Sequence, residues 1–179
     1  MNHYCQTAPG HPLHGPYHDR EYGFPIRQDA ELFGRLVLEI NQAGLSWLTI
    51  LKKKKAFERS YRGFELDLVA AFTEKDRVRL LGDKSIIRNR LKIDAAIYNA
   101  SQLLGIREEF GSFADWLDFY HTQSKAEWVA MFASVFRFTG AKIVEEFLMS
   151  IGYLPGAQLE TCPIQQRICN LSPPWMLSG

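Results

Sequence analysis

A glutamate lies inside an apolar stretch of this chain, where a charged side chain is unfavourable. Residues 36–51 are apolar over most of their helical turns and contain one carboxylate, that of Glu39. Burying an unpaired carboxylate costs several kcal/mol or raises its pKa, so such a group usually has a partner within the protein or in a ligand. Trp47 follows two helical turns later. A carboxylate beside an indole suits a flat, electron-poor or cationic ring.

Two tyrosines that precede this stretch could extend the same site. Tyr17, Tyr22 and Trp47 could together sandwich a planar base, and such stacking contributes about 1–3 kcal/mol per base. The alternative is that these aromatic residues belong to the core and hold the N-terminal segment against the helices. For Glu39 the alternative is a buried acid that accepts hydrogen bonds from backbone amides or a tyrosine hydroxyl. The combination of one carboxylate with several aromatic rings favours a ligand site.

Two basic clusters could contact phosphates. The run Lys52–Lys55 cannot fit on one helix face, so at least two of its members must diverge, and such a run is usually a solvated surface. Segment 85–90 is a short basic turn between two predicted helices that carries Arg88 and Arg90, with Lys92 just beyond it. A tight turn near a helix N-terminus can present N–H groups to a phosphate, directly or through a bound cation. This turn is the better candidate for nucleic-acid binding.

The cysteines and histidines suggest a metal site without specifying one. The three cysteines are far apart and form no CxxC pair, which argues against a disulfide framework and leaves metal ligation or free thiols. Cys5, His18 and Cys162 could converge on a metal ion if the C-terminal tail folds back onto the N-terminal segment. Weaker candidates are His3, His11, His14 and Cys169.

Helical periodicity determines how these residues are positioned. Apolar residues recur at helical spacing from Asp29 onward, Asp29 suits a helix N-cap, and strand patterns are nearly absent. We therefore predict an all-α, compact multi-helix single domain over residues 1–179, with an irregular N-terminal arm (1–28), a helical core (29–152) and a C-terminal coil (153–179). The predicted helices span 29–42, 45–57, 66–71, 74–82, 91–104, 112–120, 125–136 and 140–151.

Composition is that of an ordinary globular protein. The chain has 179 residues, of which 46% are hydrophobic and 23% charged, enough for one domain with a sizeable core. A net charge of +1 does not by itself indicate a nucleic-acid binder. No apolar run reaches transmembrane length, and the N-terminus has no signal-peptide pattern. We predict a cytoplasmic monomer without a membrane partner.

Four blocks of sequence, in order along the chain, match the pattern of a known family. They are Tyr-His-Asp-Arg-Glu-Tyr-Gly at 17–23, Glu-Ile-Asn-Gln-Ala-Gly-Leu-Ser-Trp at 39–47, Ile-Ile-Arg-Asn-Arg-Leu-Lys-Ile at 86–93 and Phe-Thr-Gly at 138–140. Together they closely resemble the 3-methyladenine DNA glycosylase I family, bacterial alkylation-repair enzymes of the helix-hairpin-helix group. The likeness runs from about Cys5 to Cys162, nearly the whole chain.

The resemblance implies an enzyme that flips a damaged adenine out of double-stranded DNA and removes it by hydrolysis, without strand cleavage. Glu39 would receive the exocyclic amino group of the base, while Tyr17 and Trp47 would stack against its rings and Tyr22 would support the pocket. Leu45 would fill the gap left in the duplex. A 3-methylated adenine is positively charged and leaves as a neutral base, so Glu39 is expected to select the base more than to cleave the bond.

The resemblance also implies that turn 85–90 is the hairpin that grips the DNA backbone. Ser85, Arg88, Arg90 and Lys92 would be its DNA contacts. The family pattern has glycine where this chain has Ser85, and glycine would allow a left-handed backbone and a close phosphate approach. Ser85 is therefore expected either to weaken the grip on DNA or to tolerate the strain.

A structural zinc ion is a further implication of the resemblance, although the chemistry requires no cofactor. Cys5, His18 and Cys162 match three of the family's ligands, but Gln158 stands where the family has a histidine. Glutamine is a poor zinc ligand. Zinc would be held by three protein ligands and a water, or lost.

Two other functions are compatible with these residues. One is a non-catalytic helix-hairpin-helix module that recognises DNA lesions or DNA structure. The other is a small-molecule binder that retains a purine pocket without engaging DNA. Retention of Glu39, Tyr17 and Trp47 favours the glycosylase.

Overall fold

The structure, a computed structural model, describes residues 3–177. Residues 1–2 and 178–179, the ends of the predicted arm and coil, lie outside the described residues. Within this range the chain forms twelve α-helices, one short 3-10 helix and no strand. The α-helices are α1 (Tyr4–Thr7), α2 (His14–Arg20), α3 (Asp29–Gln42), α4 (Trp47–Ser60), α5 (Leu66–Ala70), α6 (Glu74–Gly82), α7 (Arg90–Phe110), α8 (Phe113–Phe119), α9 (Lys125–Val135), α10 (Ala141–Ser150), α11 (Pro163–Cys169) and α12 (Pro174–Leu177), and the 3-10 helix is Arg62–Phe64.

Helix α3 is the central element, and it packs against α4, α7, α8 and α10. Leu32, Leu36 and Ile40 are almost completely buried along its length. The helix ends just before Gly44, whose φ of +82° is left-handed and suits glycine. The side chain of Ser46 then accepts a hydrogen bond from the backbone N–H of Thr49 and caps α4. This α3–α4 corner holds Glu39 and Trp47 close together in space.

The predicted all-α fold is confirmed, and three helix boundaries are displaced by two residues or more, including the end of the second core helix at Ser60, three residues beyond its predicted end. The second core helix begins at Trp47 and not at Leu45, because Ser46 takes the N-cap position. Helix α7 continues to Phe110, six residues beyond its predicted end, and stops at Gly111, which has a φ of +99°. No helix within residues 3–177 is long and apolar enough to cross a membrane.

The arm and the tail are more helical than predicted. The arm was expected to be irregular, yet it contains α1 and α2, and the expected C-terminal coil contains α11 and α12. Pro16 lies in the first turn of α2 and Pro163 is the first residue of α11. In these positions a proline needs no backbone N–H, since the first amides of a helix have no intrahelical partner. A high density of proline predicts broken helices, and this expectation is wrong here because Pro16 and Pro163 lie in the first turns of helices.

Helices α6 and α7 are joined by a tight turn over residues 83–89. Asn89 caps α7 by accepting a hydrogen bond from the backbone N–H of Lys92. Asp83 accepts hydrogen bonds from both the backbone N–H and the hydroxyl of Ser85. Ser85 is not among the described residues with positive φ. The expected strain at this position is therefore absent, because Asp83 organises the turn without a left-handed residue at Ser85.

Candidate active site

A cavity of about 240 Å³ opens beside the α3–α4 corner. The N-terminal segment closes one side of it, and α10 contributes to another. The cavity brings together the four residues predicted to form the base pocket. Its lining consists of Tyr4, Tyr17, Tyr22, Glu39, Gln42, Trp47 and Glu146.

Glu39 is buried in this cavity and has no protein partner. Its side chain is 4% exposed, and no hydrogen bond or ion pair joins its carboxyl group to any residue in the described range 3–177. This removes the alternative of an acid satisfied by backbone amides or a tyrosine hydroxyl. Burial raises the pKa of Glu39 to about 8, and the charge of Arg35 opposes that rise. The carboxyl group is therefore available to a ligand, and a cationic ligand would favour its ionised form.

Arg35 is a buried residue that holds one wall of the cavity. Its guanidinium donates hydrogen bonds to the hydroxyl of Tyr17 at 3.3 Å and to the carbonyl of Ser150 at 3.2 Å. It also forms an ion pair with Glu21 at 3.4 Å. The guanidinium carbon lies 5.1 Å from the centre of the Tyr17 ring. Sequence reasoning missed this role, although an arginine one helical turn before Glu39 in an apolar helix was a usable signal.

The aromatic residues pack against each other and also line the cavity, so the core and pocket interpretations both hold. The ring centres of Tyr17 and Trp47 are 5.0 Å apart with an interplanar angle of 55°. Those of Tyr17 and Tyr22 are 5.6 Å apart with an angle of 30°. The indole N–H of Trp47 is buried and has no hydrogen-bond partner in the structure as described. Buried donors are nearly always paired in proteins, so this N–H is a second group that a ligand could satisfy.

Tyr4, Gln42 and Glu146 line the cavity although sequence reasoning did not select them. The Tyr4 hydroxyl forms a hydrogen bond of 2.8 Å with Nδ1 of His14, which secures α1 against α2. Gln42 is the last residue of α3, three residues after Glu39. Its position on the same helix face as Glu39 was a usable signal, whereas nothing in the local sequence points to Tyr4 or Glu146.

The four consecutive lysines diverge, as predicted. Lys53 donates hydrogen bonds to the carbonyls of Lys84 and Ser85 at 3.2 and 3.1 Å, so it supports the α6–α7 turn. Lys54 forms an ion pair with Glu21. Lys52 and Lys55 are exposed.

The structure does not bring all the predicted DNA contacts to one exposed surface. Arg88 is exposed, and Arg90 is exposed but forms ion pairs with Glu74 and Asp94. Lys92 is only 5% exposed. Its ammonium donates hydrogen bonds to the carbonyls of Asn41 and Ala43 at 3.0 and 2.8 Å, which are partners at the C-terminal end of α3. Lys92 therefore anchors the helix that carries Glu39 and is not presented to a phosphate.

Leu45 lies in the loop between α3 and α4 and is 40% exposed. Gly44, its neighbour, turns the chain outward through a left-handed conformation. An exposed leucine on a short, capped loop beside a cavity is suited to insertion between stacked bases.

Cys5, His18 and Cys162 converge as predicted, and their ligand atoms lie within 4.8 Å of one another. Nδ1 of His18 is 2.7 Å from a carboxylate oxygen of Asp19, an arrangement typical of a metal-binding histidine. The fourth position is filled by Gln158, whose amide oxygen accepts a hydrogen bond of 2.9 Å from the Cys5 thiol. The weaker candidates His3, His11, His14 and Cys169 are not part of this cluster.

The orientation of Gln158 is determined by its amide nitrogen. Nε2 donates to the backbone carbonyls of His18 and Tyr22 at 3.2 and 3.0 Å. The amide oxygen therefore faces the two thiols. This donor set of two sulfurs, one imidazole nitrogen and one amide oxygen is compatible with zinc held by three strong ligands.

Comparison with known sequences identifies a family and two relatives. Residues 7–135 match the family model described as methyladenine glycosylase. The chain is 40% identical over 113 residues to DNA-3-methyladenine glycosylase 1 of Escherichia coli, which covers 63% of this chain and 60% of that protein. It is 31% identical over 113 residues to DNA-3-methyladenine glycosylase of Haemophilus influenzae, covering 63% of this chain and 61% of that protein. The aligned stretch thus spans less than two thirds of these curated relatives.

Solved structures extend the similarity over most of the chain. The structure of 3-methyladenine DNA glycosylase I from Staphylococcus aureus, solved to explain 3-methyladenine recognition, has a TM-score of 0.81 and 31% identity, covering 90% of this chain and 95% of that one. A tyrosine-to-phenylalanine variant of 3-methyladenine DNA glycosylase I in complex with 3-methyladenine has a TM-score of 0.83 and 32% identity. The latter match covers 92% of this chain and 97% of the other.

Proposed function

Because the chain belongs to the methyladenine glycosylase family, we propose that it removes 3-methyladenine from alkylated DNA by hydrolysis and leaves the strand intact. The observation that carries the proposal is the unpartnered, buried carboxyl group of Glu39 in a cavity walled by Tyr17 and Trp47. Burial favours the neutral form of this carboxyl group, and a cation that enters the cavity favours its ionised form. The similarity to a glycosylase solved with 3-methyladenine bound also supports this assignment.

The proposed roles follow from the charge of the lesion. A 3-methylated adenine in DNA carries a positive charge that weakens its glycosidic bond, and it leaves as a neutral base. Glu39 releases its own proton to solvent, and the resulting carboxylate accepts a hydrogen bond from the exocyclic amino group, so that a charge pair forms in a poorly solvated site. Tyr17 and Trp47 offer π faces to the cation, and Tyr22 supports them. Undamaged adenine is neutral, so it gains neither the charge pair with Glu39 nor the cation–π attraction of the rings.

The proposed partner is double-stranded DNA, bound by a monomer in the cytoplasm. Helices α6 and α7 with their turn would form the helix-hairpin-helix element, in which Ser85, Arg88 and Arg90 face the backbone. Lys92 is left out of this interface because its ammonium is already bound to two carbonyls. We infer that residues 1–179 act as one glycosylase domain.

The direct test is the release of free bases from methylated duplex DNA, identified by chromatography. We expect wild-type protein to release 3-methyladenine and to leave the sugar–phosphate strand uncut. Binding to methylated DNA without base release would support a non-catalytic lesion-binding module instead. Absence of both binding and release would overturn the DNA assignment altogether.

Leu45→Ala tests the proposed wedge. Extruding a base costs a few kcal/mol, and filling the vacated space offsets part of that cost, so kcat/KM for methylated duplex should fall about tenfold. Single-stranded methylated DNA, which has no stack to fill, should be affected much less. Leu68→Ala is the control, since Leu68 is 52% exposed on α5. Equal losses on duplex and single strands would contradict the wedge.

Zinc is proposed as a structural ion held by Cys5, His18 and Cys162, tying α1 and α2 to the C-terminal segment. When bound it would supply cross-linking of the termini and no step of the reaction. Gln158→His should raise zinc affinity about 10–100-fold, because even outer-shell changes at zinc sites have effects of that size. Metal content after dialysis against graded chelator measures this. Gln166→His, at an exposed position on α11, should leave the affinity unchanged, and an identical response of the two variants would contradict the proposal.

A further inference from the structure

A second carboxylate lines the base cavity, and the proposed mechanism does not use it. Glu146 lies on α10, more than one hundred residues along the chain from Glu39, yet both side chains line the same cavity. The side chain of Glu146 is 26% exposed. It thus stands at the border between the cavity and solvent, where its charge can act on whatever enters.

The contacts of Glu146 connect it both to the cavity wall and to the surface. One carboxylate oxygen accepts a hydrogen bond of 3.3 Å from the hydroxyl of Tyr22. The other forms an ion pair of 2.7 Å with Lys142, one helical turn earlier on α10. The Lys142 side chain is 76% exposed, so solvent screens it and it neutralises Glu146 only in part.

The charge of Glu146 acts on the titratable groups that line the cavity. Burial is the main cause of the raised pKa of Glu39 and of Tyr22, and the charge of Glu146 raises both further, while Arg35 and Lys142 lower the pKa of Glu39. The guanidinium of Arg35 already donates hydrogen bonds to Tyr17 and Ser150 and forms an ion pair with Glu21. At the rim of the cavity the potential that a ligand meets is set by Glu146 and opposed by Lys142, while Arg35 adds positive charge from the buried wall.

Resting on the proposed function, we propose that Glu146 is a second specificity residue, which selects purines with a fixed positive charge over neutral purines of the same shape. Coulomb attraction over several ångströms does not depend on which hydrogen-bonding edge the base presents. Glu146 therefore discriminates between bases by their charge, whereas Glu39 recognises the exocyclic amino group. Lys142 sets the strength of this selection. A cationic base is attracted to this carboxylate because Lys142, exposed on the rim, neutralises it only in part.

The test measures binding of two small ligands that differ in charge but little in shape. They are 3,9-dimethyladeninium, a permanent cation, and neutral 9-methyladenine, with dissociation constants from calorimetry or quenching of tryptophan fluorescence. Glu146→Gln should weaken binding of the cation about tenfold, or about 1.4 kcal/mol, and leave the neutral ligand unchanged. Lys142→Met should strengthen cation binding by about threefold, because it removes the opposing charge.

Two further variants separate this role from simpler ones. Glu109→Gln removes an exposed carboxylate on α7 that does not line the cavity, and should leave both ligands unaffected. Tyr22→Phe removes the hydroxyl that contacts Glu146 while retaining the ring. If Glu146→Gln weakened both ligands equally and Tyr22→Phe reproduced that loss, Glu146 would only position Tyr22 and the inference would be overturned. It would also be overturned if Glu146→Gln bound both ligands as wild type does.

Base release from methylated DNA by wild-type protein is measured in parallel. Release by the wild type together with unchanged charge selectivity in Glu146→Gln would remove this inference and leave the proposed function intact. No release by the wild type would remove the proposed function, whatever the small-ligand affinities are.

Discussion

Glutamine in place of Glu39 is expected to lower kcat/KM for release of 3-methyladenine about 100-fold. A hydrogen bond to a charged group contributes about 1.5–3 kcal/mol, and the amide of glutamine retains the shape without the charge. The loss should be larger in KM than in kcat, because the carboxylate mainly stabilises the bound cation. Glu109→Gln, an exposed change on α7, should retain full activity. Normal activity of Glu39→Gln would remove the proposed role of that carboxylate and leave the enzyme assignment standing.

The same substitution should stabilise the empty protein at alkaline pH. Burial raises the pKa of Glu39 from 4.5 to about 8, so between these values the folded state holds a proton that the unfolded chain releases. The free energy of unfolding of wild type therefore falls as pH rises through this window, and the fall is complete above about pH 8. Glutamine does not titrate. Glu39→Gln should gain about 3–5 kcal/mol relative to wild type between pH 4 and pH 9, at about 1.4 kcal/mol per pKa unit.

Urea denaturation across that pH range measures the effect. Glu109→Gln serves again as the control, and its stability should follow that of wild type. Parallel curves for wild type and Glu39→Gln would show that the carboxyl group of Glu39 is not held in its neutral form by burial.

Arg35→Met is expected to destabilise the fold by about 3–5 kcal/mol, which is typical when one partner of a buried charged network is removed. The substitution leaves the Ser150 carbonyl and the Tyr17 hydroxyl without their donor and leaves Glu21 with Lys54 as its cation. It should also raise the pKa of Glu39 further, because Arg35 is the largest influence that lowers it. Activity should fall as well, since Tyr17 loses its anchor.

Denaturation midpoints at pH 7 measure the loss of stability. The control is Arg107→Met, which removes an exposed bidentate ion pair with Asp67, and solvent-exposed pairs of this kind contribute little. A similar loss in both variants would show that burial of Arg35 has no special energetic consequence.

Much of the fold was predictable because helices are determined by short-range patterns. Apolar spacing on α3 and the position of Gly44 predict that Glu39 and Trp47 flank one corner between two helices, and the Ser46 cap only moves the start of α4 to Trp47. The errors in the arm and the tail were also local. Proline is compatible with the first turn of a helix, and Pro16 and Pro163 occupy that turn.

For the candidate site, the sequence alone identified some of the residues, and only the tertiary structure identified the others. The chain by itself determined Glu39 and its aromatic neighbours, because an unpaired acid in an apolar helix is unusual wherever the helix packs. Only the tertiary structure decided that Glu146 joins the cavity, that Lys92 is bound to the end of α3, and that Gln158 faces two thiols. These are contacts between segments about 50 to 150 residues apart in the chain, and they depend on how whole helices pack. The spacing of residues along a short stretch of sequence does not specify that packing.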